Sequence, residues 1–257
     1  MKKLIDFIIV ENRHISNQYS LLILSPADGT QLPEIKPGQF VQVAVDAPEV
    51  LLRRPISVNN VDKENNHLWL LVRRAGKATN VLADMSEGTI INILLPLGNG
   101  FNTEVNGSDK TPCILVGGGV GIAPLLYLGR ILKNSGIQFE YLIGARSKTD
   151  LLQLDYLQEL APVNISTDDG SYGDHGLITQ HSCINKKWQK IFCCGPAPMM
   201  KAVAKIAKER HIDCEVSLEN MMACGLGACL CCVEKTVKGN VCVCTEGPVF
   251  NINQLTW

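Results

Sequence analysis

Eleven of the 257 residues are cysteine, and they are unevenly placed. Cys113 and Cys183 stand alone, whereas six lie between Cys224 and Cys244. Read through Cys224, Cys229 and Cys232 the spacing is C-x4-C-x2-C, with Cys244 downstream. Four thiolates at plant-type spacing suit a [2Fe–2S] cluster, a small anionic inorganic core. Gly225 and Gly227 let backbone N–H groups approach the sulfur, which lowers the cost of holding that charge. Zinc is the rival ion, although structural zinc prefers two C-x2-4-C knuckles at longer separation. Inert buried thiols are the plain alternative. Cys231 adjoins a ligand position, and Cys242 competes with Cys244 for the fourth place. The turn Thr245-Glu246-Gly247-Pro248 favours Cys244. An odd count without an export signal argues against a disulfide framework.

Two further constellations suit anions. Gly117-Gly118-Gly119-Val120-Gly121 separates an apolar strand from a helical stretch, where a βα turn sets N–H groups against a pyrophosphate. It is not the full G-x-G-x-x-G fingerprint, because Ala123-Pro124 takes the third place, and a merely tight turn is the plain reading. Cys194-Gly195-Pro196 and Thr167-Asp168-Asp169-Gly170-Ser171 end two other strands on the same expected sheet edge. In the first hundred residues, Arg53-Arg54-Pro55-Ile56-Ser57 could hold a phosphate or a flavin edge through Arg54 and Ser57. Arg73-Arg74-Ala75-Gly76-Lys77-Ala78-Thr79 supplies cations and a helix start, a second pyrophosphate site. A solvated basic surface is the alternative.

These residues need a scaffold. Val41, Val43 and Val45 alternate with Gln42 and Ala44, and Leu68–Val72 is another apolar run. Turns at 26–29, 36–38 and 62–66 separate such runs, as in a small antiparallel barrel or sandwich. A short helix is expected with Thr79 as N-cap, running to Met85. A loop from Leu97 through Ser108 marks the boundary. Beyond it, strands at 113–116, 139–143, 163–167 and 190–194 alternate with helices at 123–133, 151–160 and 197–210. That alternation implies a parallel α/β sheet. From Cys214 the chain reads as a compact cysteine-rich tail. Three domains are expected, 1–103, 104–212 and 213–257.

Composition narrows the setting. With Lys+Arg 24 against Asp+Glu 25 the net charge is −1, so there is no basic footprint for nucleic acid or anionic lipid. No run reaches the ~18 apolar residues of a membrane span. Asp6 interrupts the apolar start, so a secretory segment is not expected and the location expected is cytoplasmic. The five histidines are scattered, and no acid–base pair stands out.

Taken together, a barrel with R-P-x-S, an α/β domain with G-G-x-G and C-G-P, and a C-terminal C-x4-C-x2-C resemble the ferredoxin-NADP reductase family. Leu52–Ser57, Pro96-Leu97-Gly98-Asn99-Gly100, Met222–Cys229 and Glu246–Phe250 narrow the resemblance to electron-transfer subunits of NAD-dependent (class 1B) dihydroorotate dehydrogenases. The resemblance spans essentially the whole chain. It implies an FAD-binding β-barrel, an NAD-binding α/β domain and a small [2Fe–2S] domain. It implies FAD contacts at Arg54, Pro55, Ile56, Ser57, Leu71, Val72 and Arg73, with the pyrophosphate at Ala78 and Thr79. The family usually has Gly-Thr there, so Ala78 is a departure. Cluster ligands carry over as Cys224, Cys229, Cys232 and Cys244. NAD would lie along Gly117, Gly118, Gly119 and Gly121, with Cys194 a possible nicotinamide contact. The second strand of the α/β region ends Gly144-Ala145-Arg146-Ser147 with no acid for a ribose 2′-OH, so local residues leave NAD and NADP open. The family reading also implies a partner catalytic subunit that oxidises dihydroorotate on FMN in UMP synthesis, in a heterotetramer with two of each subunit. A reductase subunit serving another partner, of sulfide dehydrogenase or transhydrogenase type, is the alternative.

Overall fold

A computed structural model of the chain describes residues 1–105 and 111–257. Asn106, Gly107 and Ser108 of the expected boundary loop lie outside the described residues. The backbone divides into two compact units. One comprises Met1–Gly100, Asn220–Glu234 and Asn240–Pro248; the other comprises Phe101–Glu219, Lys235–Gly239 and Val249–Trp257. The expected tail 213–257 is therefore distributed over both.

The first unit holds β1 (Lys3–Ser16), β2 (Tyr19–Pro26), β3 (Phe40–Val43), β4 (Arg54–Asp62), β5 (His67–Arg73) and β6 (Ile90–Leu97). They close into a barrel in the order β1-β2-β5-β4-β3-β6, with every pairing antiparallel. Closure removes the exposed edges that an open sheet would present. In β6, Ile91, Ile93, Leu95 and Leu97 are buried while Ile90 is exposed, the period-two pattern of a strand with one face inward. Helix α1 (Lys77–Ala83) buries Ala78, Leu82 and Ala83. Its last carbonyls have partners from the barrel: Ser20 Oγ donates to Ala83 O at 3.1 Å, and Asn12 Nδ2 donates to Ala83 O and Met85 O at 3.0 and 2.8 Å. Such bonds satisfy the carbonyls that a helix C-terminus leaves over.

The second unit is an α/β sheet. It contains β7 (Cys113–Gly118), α2 (Ala123–Asn134), β8 (Phe139–Ala145), α3 (Leu154–Gln158), β9 (Val163–Thr167), β10 (Asp174–His175), β11 (Lys190–Cys194), α4 (Ala197–Glu209) and β12 (Asp213–Ser217). The remaining elements are β13 (Val233–Thr236), β14 (Gly239–Cys242), α5 (Val243–Glu246) and β15 (Val249–Asn251). The sheet order is β10-β9-β8-β7-β11-β12-β15, parallel except for β15. β7 and β11 are buried at every position, as a strand covered on both faces must be. Cys214 and Val216 show the same burial, which is why the start of the expected tail joins this sheet as β12.

Two helix expectations change. Residues 151–160 give only Leu154–Gln158, after a 3₁₀ turn at Lys148–Asp150. Thr79 is not the N-cap: the helix begins at Lys77, and Thr79 Oγ1 instead accepts from the N–H groups of Ala75 and Gly76 at 2.9 and 3.1 Å. A Thr at the third helical position can reach back to these donors, which is how its cap-like chemistry misled the sequence reading. No helix among the described residues is long and apolar enough to cross a membrane.

Candidate functional site

The cysteine loop is held on the barrel at two places. Gly225 has φ +70°, and a Cβ there would lie 2.9 Å from Gln42 Cγ and Nε2 on β3. Downstream, Asn99 N donates to Gly247 O at 2.6 Å, and Asn99 Nδ2 donates to the carbonyls of Thr245 and Glu246 at 3.0 Å each. A Cβ on Gly98 would stand 2.6 Å from Gly247 O and from Pro248 Cδ. Thus the Gly98-Asn99 and Gly247-Pro248 segments, far apart in sequence, clamp the Cys244 turn to the end of β6. Asn99 was not among the expected site residues. Its only sequence signal was its place in Pro96–Gly100.

Within the loop, backbone N–H groups point at sulfur. Leu226 N donates to Cys224 Sγ at 3.3 Å, Gly227 N to Cys244 Sγ at 3.2 Å, and Cys244 N to Cys232 Sγ at 3.4 Å. Cys224 is hydrogen-bonded to Cys229, and Cys232 to both Cys244 and Cys242. Among the described residues, no three His, Cys, Asp or Glu side chains close on a single ion position. The Leu226 N–H, helped by those of Cys229 and Ala228, lowers the Cys224 thiol to about 6. Burial raises Cys244 to about 12, against the Gly227 N–H. Cys242 behaves differently from Cys244. Its Sγ donates to Gly227 O at 3.8 Å, and desolvation with the neighbouring thiols Cys232, Cys224 and Cys229 raises its pKa. The Cys242 sulfur donates to a carbonyl, whereas those of Cys224, Cys232 and Cys244 accept from backbone N–H groups, donors that can offset charge on sulfur. The N–H donors at Cys224, Cys232 and Cys244 suit an anionic iron–sulfur group.

The barrel residues lie beside this loop. β3 pairs with β4 so that Gln42 faces Pro55 and Phe40 faces Ser57. Arg53 and Arg54 have separate jobs. Arg53 is tied into the barrel, donating to Gln42 O at 3.3 Å, Asn92 O at 3.0 Å and Asn92 Oδ1 at 2.6 Å. Among the described residues Arg54 Nη1 donates to the nearby carbonyls of Leu52 and Arg53, at 2.6 and 3.3 Å, and a guanidinium has further donors to offer an anion. The Ser57 hydroxyl is half-buried, as are Pro55 and Ile56. Leu71 and Val72 are buried in β5, and Arg73 at its end is exposed. Arg74 is committed elsewhere, donating to both carboxylate oxygens of Asp84 at 2.6 and 2.8 Å. Ala78 and Thr79 lie in the first turn of α1, whose leading N–H groups have no helical acceptor.

In the second unit the glycine run and the C-G-P segment come together. β8 lies on one side of β7 and β11 on the other, so the strand order reverses between β7 and β11. Ligands of open α/β sheets bind at that crevice, outside the C-terminal strand ends. Gly117 and Gly118 close β7, and Gly119–Ile122 form a 3₁₀ turn in which Gly119 takes φ +53°. A Cβ on Gly121 would overlap the Cys194 carbonyl and come within 2.6 Å of Gly195 Cα. One on Gly118 would meet Met199 Sδ at 2.6 Å. The glycines therefore permit close approach of backbone to backbone at this edge. Cys194 is buried, and burial, then the charge of Glu219, holds its thiol protonated. The strand end at Arg146 is exposed, and no carboxylate stands beside it in sequence.

Comparisons with known proteins place two family matches on the chain. The oxidoreductase FAD-binding domain family matches residues 6–101, and the iron-sulfur cluster binding domain of dihydroorotate dehydrogenase B matches residues 219–256. In fold the chain resembles an NADH-dependent reduced ferredoxin-NADP oxidoreductase at TM-score 0.85 and 29% identity, covering 98% of this chain and 90% of the other. It also resembles, in fold alone, the FAD/NAD-binding domain of a Vibrio cholerae nitric oxide dioxygenase, at TM-score 0.70 and 20% identity, covering 82% and 98%. A protein of Shouchella clausii described as the electron transfer subunit of dihydroorotate dehydrogenase B (NAD(+)) is 39% identical over 226 residues, 86% of each chain. The Listeria innocua protein of the same description is 34% identical over 255 residues, covering 96% of this chain and 97% of the relative. With likeness of that extent running through both the barrel and the cysteine loop, the chain belongs to the family of dihydroorotate dehydrogenase B electron-transfer subunits.

Proposed function

We propose that the chain carries electrons from the FMN of a dihydroorotate-oxidising partner subunit, through a [2Fe–2S] cluster and FAD, to NAD+ in UMP synthesis. The observation that carries this reading is the seating of the N–H-bonded thiols on the same barrel as the Arg54–Ser57 strand. A cluster exchanges single electrons, NAD+ accepts a hydride, and a flavin can do both.

The chain's own residues bind and orient. Cys224, Cys229, Cys232 and Cys244 would hold the cluster, with the N–H groups of Leu226 and Gly227 offsetting its negative charge. Arg54, Pro55, Ile56 and Ser57 would lie along the flavin, with Leu71, Val72 and Arg73 beside them, and the first turn of α1 at Ala78 and Thr79 would take its pyrophosphate. Gly117, Gly118, Gly119 and Gly121 would admit the NAD pyrophosphate, and Cys194, neutral and buried, would shape the nicotinamide end. The functional segments are 1–103 for FAD, 104–212 for NAD and 213–257 for the cluster. Leu226 and Leu230 expose apolar side chains on the cysteine loop, as does Met221 just before it, and these suit a lasting contact with the partner subunit. We place the complex in the cytoplasm as a heterotetramer with two of each subunit.

The test is the visible spectrum and metal content of the purified protein. The expected result is one FAD, two irons and two labile sulfides per chain, with bleaching by NADH, and by dihydroorotate only when the partner is present. A colourless protein without flavin or iron overturns the reading. The likeness at TM-score 0.85 to an NADH-dependent reduced ferredoxin-NADP oxidoreductase supports a second reading, a reductase subunit serving another partner. Identifying the subunit that co-purifies, and its substrate, separates the two.

A further inference from the structure

Gln42 is a polar residue in an unusual place. It is 0% exposed, yet neither its Nε2 nor its Oε1 has a hydrogen-bond partner among the described residues. A buried amide left unpaired has lost its hydration with nothing in return, so such a group calls for an explanation. Its main chain is fixed on both sides: Arg53 donates to its carbonyl, and its register partner on β4 is Pro55. Its side chain runs to the other site. Gly225, next to Cys224, must lack a Cβ because one would lie 2.9 Å from Gln42 Cγ and Nε2. One residue thus touches the proposed flavin strand with its backbone and the cysteine loop with its carboxamide.

Leucine or methionine would fill that volume without the cost of burying an amide. The carboxamide has a purpose if its N–H meets an acceptor that arrives with the bound group. Sulfur carrying negative charge, at Cys224 or on the cluster itself, is that acceptor. We propose that Gln42 is a positioning residue that donates an N–H···S hydrogen bond to the iron–sulfur group held at Cys224, and so raises its reduction potential. This rests on the cysteine assignment above. The physical reason is simple: reduction adds one negative charge to the cluster, and a donor aimed at its sulfur stabilises that charge.

The experiment uses the full chain with its cofactors, titrated potentiometrically and followed by the electron paramagnetic resonance of the reduced cluster. Gln42→Leu keeps the volume and removes the donor; Gln42→Glu keeps the shape and substitutes an anion. The expected result for Gln42→Leu is an unchanged iron content and FAD midpoint. Its cluster should be about tenfold harder to reduce, ~59 mV for a one-electron couple. Gln42→Glu should move it further in the same direction. In wild type, side-chain ¹⁵N-labelled glutamine should give a hyperfine coupling to the reduced cluster, a readout that does not depend on a variant folding. A cluster midpoint within error of wild type in both variants, a shift confined to FAD, or the absence of the ¹⁵N coupling overturns the proposal. Wild-type protein without iron overturns the cysteine assignment instead, so the two failures are distinguishable.

Discussion

Two groups of cysteines in this chain share a side chain and little else. In the loop of the first unit, backbone N–H groups surround the sulfur, and Cys224 is lowered to about 6 by the donors at Leu226, Cys229 and Ala228. In the sheet of the second unit, Cys193 and Cys214 are fully buried on β11 and β12, and burial pushes both thiols up, helped by the charge of neighbouring groups. A loop with positive-φ glycines at 225 and 227 can turn its amides inward. A strand has spent its amides on the ladder. Backbone donors lower a thiol where water also reaches it, as at Cys224, whereas burial holds Cys244 in the same loop at about 12.

The sharpest way to break this contrast is to remove one thiol from each group. Cys229→Ser should abolish iron and labile sulfide while leaving FAD bound. Because Cys229 is exposed, the substitution removes no core packing, and the barrel should keep its FAD. Metal analysis with a flavin spectrum checks both halves. If iron stays at two per chain, the loop is not the cluster site.

A second break falls on the α/β edge. Gly121→Ala sets a methyl against the Cys194 carbonyl and within 2.6 Å of Gly195 Cα, a contact of backbone with backbone that no rotamer relieves. The expected loss is about tenfold in NADH affinity (~1.4 kcal/mol). FAD and iron content should not move. Stopped-flow reduction of the bound flavin by NADH measures it, and unaltered binding would detach this turn from the nucleotide.

The architecture was readable because periodicity carries it. Alternation marked the barrel strands, the run Cys113–Val116 marked an interior strand, and the cysteine spacing marked the loop. What sequence concealed were contacts between distant segments. Nothing local says that Asn99 will bond the carbonyls of Thr245 and Glu246, or that Gln42 will be buried against Gly225. In β3 the valines alternate with Gln42, yet all four residues are buried, Gln42 against Gly225 of the cysteine loop. The misread helix start at Thr79 has a related cause, since a hydroxyl that caps from inside the first turn looks the same in sequence as one that caps from before it. Local signals identify groups. Only closure of the chain says which group each one meets.

Smaller effects sharpen the buried side of the contrast. Cys193→Ser should leave the cluster intact and destabilise the second unit by about 1–3 kcal/mol, because a hydroxyl replaces a thiol that behaves as an apolar group in a dry sheet. A lower urea midpoint with unchanged iron is the expected pattern. Loss of iron would show that the two groups of cysteines are not independent.

The smallest effect concerns Glu140 on β8, to which the lone thiol Cys183 donates at 3.9 Å. Burial by itself would raise the Glu140 carboxyl. The hydrogen bonds from Lys186, at 2.9 and 3.2 Å, and from Asn164, at 2.9 Å, outweigh it and bring the pKa below 4.5. A depressed carboxyl contributes stability that is present above pH 4.5 and is lost as pH falls through the folded value. Lys186 is half exposed, at 53%, so water screens the pair and its worth is below about 1 kcal/mol. Glu140→Gln should therefore lower stability slightly at neutral pH and flatten the acid limb of the stability curve below pH 4.5. Wild type and variant should converge there. Parallel curves, offset equally at every pH, would show that Glu140 acts through packing and not through its charge.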